Sequence, residues 1–419
     1  SVSEGRDTVS PDTIPWSAMR RLLGHTIYGG RVDNEFDQRL LDSFLSHLFQ
    51  PDAYKDDFSL VLSTSQDELQ VKLPKSTRRE DFVRWVSTLP EWTPPAWLGL
   101  SPNAEVIILK TKAKRVVFNL QQMQLLQATD DVSEQEGGGN KEKLKQLETI
   151  ATDWVKLLPK DIKSPTEKGA DKSSPLWRYF NREVNQGASQ LKKLHKDLDE
   201  LTQACQGKLK HTNDIRDLMD CIGRGDVPKA WLKYEISPST RVSGWVRDFT
   251  KRTRQLTSIG QSLDETPKEQ PRISLNIGLL LNPEPFITAT RQAAARANGW
   301  SLENLTLNLR IADEELNDDL LKSCPAGSFY LSGLKLQGAE WKENHLVVST
   351  SMEASMPPAQ LLWVTNTDAP KDEGTKVLVP CYLTATRKTL LFSVYLHAHE
   401  EVDEHVWFQR GVALIASKV

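Results

Sequence analysis

Catalysis would require acids, bases or metal ligands set at a regular interval. The nearest approach to such a set is His397-Ala398-His399-Glu400, with Glu401 and His405 close behind. Two histidines two residues apart on a strand face the same way, a spacing that zinc accepts. The plainer reading is a polar strand end running into an acidic loop, because nothing nearby in sequence supplies the partner that orients a ligating imidazole. Phosphate chemistry would need a strand, a glycine-rich loop ending in Gly-Lys-Ser/Thr, and a helix. Gly137-Gly138-Gly139-Asn140-Lys141 has the glycines, but no strand precedes it and no hydroxyl residue follows the lysine. It reads as a flexible connector. No nucleophile elbow, HExxH pair or dinucleotide fingerprint occurs, and the plentiful Asp and Glu show no pairing pattern. No catalytic, nucleotide-binding or metal residue is therefore assigned, and no cofactor is expected in this polypeptide.

The elements that would position any site divide into helices first and strands afterwards. The change falls in Pro285–Ile311. Phe286, Ile287, Thr290, Ala293, Ala294 and Ala297 recur three and four apart, one face of a helix, and Asn298-Gly299 stops it. From Leu305 the period becomes two, with Leu307, Leu309 and Ile311 alternating with polar residues. Upstream, Pro15 suits a first helical position, Asp33 or Asn34 can cap a helix carrying Phe36, Leu40, Leu41, Phe44, Leu45 and Leu48, and Thr77 to Glu80 has capping-box spacing ahead of Phe82, Trp85, Val86 and Leu89. Residues 128–141 read as a linker, before a helix with Leu144, Leu147, Ile150, Trp154 and Leu157 on one face. The most regular helix follows Ser174-Pro175. Its seam is Trp177, Phe180, Val184, Gly187, Leu191, Leu194, Leu198, Leu201 and Cys205, on a rod of about 45 Å. A coiled-coil dimer and a helix packed inside a bundle both use such a seam; the bundle is favoured, since Trp177 and Phe180 are bulky for a two-stranded coil and Gly187 is a weak knob. A shorter helix with Ile215, Leu218, Met219 and Ile222 is expected to stop at Gly223, and another carries Trp245, Val246, Phe249, Leu256 and Ile259. From Ile273 short strands are expected (ISLNIGLLL, Tyr330–Trp341, HLVVSTSM, QLLWVTN, KVLVPCYLTAT, TLLFSVYL, HVWFQRGVALIAS), with a hairpin turn at Ala385-Thr386-Arg387-Lys388. Closure into an antiparallel barrel would hide their edges.

At 419 residues the polypeptide is too long for one ordinary core. Its 53 basic and 56 acidic residues leave a net charge of −3, which argues against nucleic-acid and membrane-surface partners. The basic group Lys208, Lys210, Lys251, Arg252 and Arg254 reads as a solvated face. No apolar run reaches the about 20 residues of a membrane span. The four cysteines (Cys205, Cys221, Cys324, Cys381) are scattered, which fits a reducing, cytosolic setting. With a polar amino terminus, no signal core and no initiating Met, the sequence reads as a piece of something longer.

IPWSAMRRLLGHTIYGGRVDNEFDQRLLDSFLSHLF, followed by REDFVRWVSTLP and TPPAWLGLSPNAEVIIL, resembles the lid of the sixth AAA+ module of a dynein heavy chain, in a form nearer the cytoplasmic than the axonemal members. LWRYFNREVNQGASQLKKLHKDL, GKLKHTNDIRDLMD, VPKAWLKY and WVRDFTKRTRQL resemble the helical half of the dynein C-terminal domain, and PFITATRQAAARANGWSLENL, GLKLQGAEW, VPCYLTATR and VWFQRGVALI resemble its β half. The resemblance extends over most of the sequence outside 128–174 and 260–272. It implies an α+β fold: a helical lid over 1–126, a helical bundle with one long helix over 127–272, and an antiparallel β-barrel packed on a helix over 273–419. It implies a cytoplasmic, cytoskeleton-associated motor moving toward microtubule minus ends, whose ATP and magnesium sites lie outside this polypeptide. The implied partners are the remaining AAA+ modules, with other dynein subunits and the microtubule reached through other regions. Inter-module contact candidates are Tyr28, Gly29, Gly30, Arg31, Asp33, Asp37, Trp97 and Asn103. An arginine in such a lid can sense a γ-phosphate; for Arg31 the plainer role is at the start of a helix, paired with Asp33, Asp37 or a neighbouring module. The alternative of another class is a coiled-coil scaffold dimerising through 177–205.

Overall fold

A computed structural model describes residues 11–61, 71–76, 78–100, most of 104–120, 139–166, 171–236, 240–266, 269–312, 316–365, 375–399, 402 and 404–416. Thr77, Asn103, Glu400, Glu401 and residues 128–138 of the expected linker lie outside the described residues.

The amino-terminal block is a set of short helices. Helix α1 (Trp16–Leu22) takes Pro15 as its N-cap rather than its first helical residue, and continues into one wide turn over Leu23–Ile27. Helix α2 (Glu35–Leu48) is capped by Asn34, whose side chain accepts from the Phe36 N–H at 2.8 Å. Of its expected inward face, only Leu45 is fully buried. Helix α3 (Arg79–Thr88) is held at its start by Ser76, whose hydroxyl accepts from the Arg78 N–H and donates to Asp81. No residue of α3 is buried, and Val86, expected inside, is 57% exposed.

The second block is a bundle around one long helix. Helix α4 (Gly139–Leu157) already includes the last residues of the expected linker. It turns Ala151 and Trp154 inward, with Leu158 just beyond its end, while Ile150 and Leu157 face out. Trp154 and Leu147 keep to the expected stripe, while Ala151 and Leu158 take the inward places expected of Ile150 and Leu157. Helix α5 (Pro175–Cys205) is capped by Ser174. Its seam from Trp177 to Leu201 is buried within the protein's own core, so a coiled coil has no free face there. Helix α6 (Asn213–Arg224) runs past Gly223 and ends instead at Gly225, which adopts φ +80°. Helix α7 (Val242–Glu265) buries Trp245, Val246, Phe249, Leu256 and Ile259.

The expected strand at 273–281 is instead a short turn of helix, Ile277–Leu279, with a single bridge from Leu275 to Leu331. Helix α8 (Pro283–Asn298) ends at Gly299 with φ +67°, as its sequence requires. Three strands follow in one antiparallel sheet ordered β1-β5-β2: β1 (Leu305–Ile311), β2 (Phe329–Leu331) and β5 (Ala359–Thr365). A five-stranded sheet is ordered β4-β3-β8-β6-β7, comprising β3 (Lys335–Lys342), β4 (His345–Ser355), β6 (Lys376–Tyr382), β7 (Leu390–His397) and β8 (Ala413–Ile415). A short helix α9 (Asp318–Lys322) lies between β1 and β2, and α10 (Glu404–Gln409) occupies part of an expected strand. The α+β class holds, but a closed barrel does not form. Strand β8 pairs parallel to β6, and among the described residues the outer strands meet only through one isolated bridge, Leu346 with Ala398. The sheet curls without completing a ladder. Tyr179, Phe180, Phe286 and Phe329 meet mostly edge to face where α5, α8 and β2 converge, joining bundle and sheets in one continuous apolar cluster.

Candidate functional site

The glycine turn ahead of α2 is built by close approach. A Cβ on Gly29 would lie 1.7 Å from the Gly24 carbonyl oxygen, and one on Gly30 would lie 3.0 Å from that of Thr26. Gln38 locks the fold-back by donating to the Gly24 carbonyl at 3.3 Å. The turn leaves Tyr28 59% exposed and Arg31 and Asp33 at the surface. The expected pairing of Arg31 with Asp33 or Asp37 does not form among the described residues. Trp97 sits half-buried in the single turn Pro95–Leu98.

Helix α2 turns its other side to the carboxyl-terminal sheet. Asn34 donates to the Tyr382 hydroxyl at 3.3 Å. Arg39 lies 3.9 Å from Glu404 and over the Phe408 ring at 5.4 Å. Gln409 donates to the Ser43 hydroxyl at 3.2 Å. Behind these sits Arg387, in the β6–β7 turn at φ +56°, donating to Gln337 at 3.0 Å and to the Gly411 carbonyl at 2.7 Å. Burial lowers the Arg387 guanidinium from its ordinary value, while Tyr382 and Asp37 act to hold its charge. Among the described residues, none of the amino-terminal block belongs to the apolar cluster that joins the rest of the protein. The joint is thus made of hydrogen bonds, one ion pair and ring contacts, with no shared core. No pattern in the sequence points to Tyr382, Glu404, Phe408 or Gln409 as partners of α2, which they reach from about 350 residues away.

The bundle carries a second polar group. Arg252, expected on a solvated face, is 1% exposed; it pairs with Asp248 at 2.6 Å, donates to the Leu280 carbonyl and lies over Tyr234 at 3.9 Å. Glu183 accepts from the Leu281 and Asn282 N–H groups and the Asn282 side chain. These bonds fix the segment that leads into α8. Burial raises the Glu183 carboxyl against them. Such an arrangement anchors backbone and offers no open reaction site.

His397 is half-buried at the end of β7 and His399 is exposed beyond it. Among the described residues, no group of three or more His, Cys, Asp and Glu could hold a metal ion. No described helix is long and apolar enough to cross a membrane.

The structure is a helical lid-like block jointed by polar contacts to a helix-and-sheet body. The family model of the dynein heavy chain's AAA lid domain matches residues 4–104, and that of its C-terminal domain matches 111–416. The polypeptide belongs to the dynein heavy chain family. It is 38% identical to "Dynein heavy chain, cytoplasmic" of Drosophila melanogaster over 429 residues, and 38% identical to the protein of the same name from Dictyostelium discoideum over 427. Each match takes in 99% of this sequence and 9% of the relative. "Dynein axonemal heavy chain 5" of Mus musculus is 26% identical over 412 residues, taking in 96% of this sequence and 8% of the relative. The polypeptide therefore spans 9% of the length of the first two of these relatives.

Proposed function

We propose that the polypeptide is a non-catalytic, regulatory part of a cytoplasmic, microtubule minus-end-directed, ATP-driven motor. In this reading the lid (1–126) joins the sixth AAA+ module to its neighbours. The C-terminal domain (127–272 and 273–419) lies across the ring and limits how its modules move. ATP and magnesium act at sites outside this segment, and the microtubule and other subunits are reached through other regions.

The observation that carries the reading is the surface of the lid. Leu22, Ile27, Tyr28, Val83, Val86 and Trp92 are each roughly half exposed, some more. Large apolar side chains left exposed in a small helical block are surface that a partner can bury. The remaining modules of the same heavy chain supply that partner. The polar joint to the sheet then gives the C-terminal domain a handle on the lid. A brace of this kind alters motor output only if it contacts two ring states with different free energy.

The test is motility of a motor truncated after about Leu126. Changed run length, stall force or velocity with intact ATP turnover supports a bracing role; all three unchanged rules it out.

A further inference from the structure

The helical residues of 104–120 stand clear of the rest of the protein. Every described residue among them from 106 onward is exposed, and none belongs to the apolar cluster. A helix of this length is marginal in water unless an apolar face is packed. Such a face is present and open. Val106, Leu109, Ala113, Val116 and Leu120 recur at intervals of three, four, three and four. Val106 is 40% exposed and Val116 56%, with Leu109 and Leu120 between them. This is the a and d stripe of a heptad repeat, the spacing at which one helix packs its side chains between those of another.

The charges beside the stripe decide what covers it. Lys110 follows Leu109 at an e position and Lys112 precedes Ala113 at a g position, so the two border the stripe on opposite sides. Lys114 and Arg115 add positive charge farther round, against a single acid in 104–120, Glu105. Among the described residues none of the four bases pairs with an acid; Lys112 lies over the Trp92 ring at 5.4 Å. A helix lying on lipid presents a broad apolar face rich in Trp, Phe and Leu, whereas this one presents a narrow seam of Val, Leu and Ala. A second copy would bring the same excess of positive charge. We propose that 104–120 is a docking face for an acidic amphipathic helix of a partner protein, with an apolar heptad seam and Glu or Asp on both of its flanks. The partner's a and d side chains pack between Val106 and Leu120, and its flanking acids meet Lys110 and Lys112. The proposal is independent of the bracing role, since a motor cut after Leu126 keeps this stretch.

The test uses the full 419-residue protein and two labelled three-heptad peptides read by fluorescence anisotropy. One repeats Glu-Ile-Ala-Ala-Leu-Glu-Lys, with acids on both flanks of its seam; the other repeats Lys-Ile-Ala-Ala-Leu-Lys-Glu, with the same seam and basic flanks. Saturable binding of the acidic peptide, about tenfold tighter than the basic one at low salt, is the expected result. The preference should shrink as ionic strength rises. L109D and V116D, both at exposed positions where folding does not depend on the side chain, each weaken the acidic peptide at least about tenfold. K110E/K112E keeps the seam and reverses the order, so that the basic peptide binds more tightly. The proposal is overturned if the acidic peptide does not bind, if the two peptides bind alike, or if K110E/K112E leaves their order unchanged. It is also overturned if the protein alone self-associates in sedimentation and L109D abolishes this, which assigns the stripe to a second copy. Capture on phosphatidylserine vesicles that L109D abolishes assigns it to a lipid surface, and overturns the proposal equally.

Discussion

Gly187 lets α5 pack close against α7: a Cβ there would lie 2.3 Å from the Leu256 Cδ1. In G187A, helix propensity contributes about 1 kcal/mol of stability, while overpacking costs about 1–3 kcal/mol. The expected net loss is up to about 2 kcal/mol in urea unfolding, and shrinking Leu256 to Ala removes the clash, so the double variant should be more stable than the sum of the single effects. A purely additive pair would mean that the helices are not in contact there. Glu183 yields a prediction in pH. Burial raises its carboxyl above the ordinary value, so the folded state holds the proton more tightly than the unfolded one. The site therefore penalises the fold above the raised value, and the penalty fades as pH falls through that value toward the ordinary carboxylate range. E183Q cannot titrate, and it places an NH2 against the Leu281 or Asn282 N–H, at a cost of about 1–3 kcal/mol. As pH falls through the raised value toward the ordinary carboxylate range, the stability advantage of the parent over E183Q should widen; a gap that narrows contradicts the assignment.

At the level of elements, α2 and α10 form a joint that ordinary salt can weaken. Arg39 bridges it twice, by a partly exposed ion pair to Glu404 and by its position over Phe408. Contacts of this kind are worth about 0.2–1 kcal/mol each. R39Q should therefore raise amide exchange in Glu404–Gln409 by about three- to tenfold at low salt. The difference from the parent should shrink as ionic strength rises. No change in exchange would show that α10 is held by other means. This joint is not legible in the sequence, because it is assembled from residues about 350 positions apart whose types are ordinary one by one. The helices themselves are legible wherever a cap and an apolar period agree, as at Ser174-Pro175 with the seam to Leu201 and at Asn298-Gly299. Period alone misleads. ISLNIGLLL looks like a strand, yet Asn276 caps a turn there, and HVWFQ alternates well enough for a strand but coils into α10. Strand number suggests barrel closure, whereas closure depends on pairing between the outer strands, which here amounts to the single bridge from Leu346 to Ala398.

For the whole molecule the decisive fact is that one apolar cluster unites bundle and sheets while, among the described residues, the amino-terminal block stands outside it. Cooperative unfolding requires shared burial, and a contact built from a few polar groups transmits little of it. In rising urea, peptides from 16–48 should lose protection against hydrogen exchange at lower concentration than peptides from 177–201 and 242–263, giving two transitions. A single coincident transition across all of them would mean that the joint carries far more energy than its contacts account for. The same physics predicts how a partner acts. A surface that covers Tyr28, Val83 and Trp92 binds only the folded lid, and so should shift the first transition upward and leave the second nearly in place. Bringing the two midpoints together in this way does not couple the blocks, because covering the lid adds nothing to the joint itself. On the bracing role proposed above, the effect should depend on the lid being covered: the joint alone is worth little, so a partner that holds the lid in place is what would let the same few contacts act on the body.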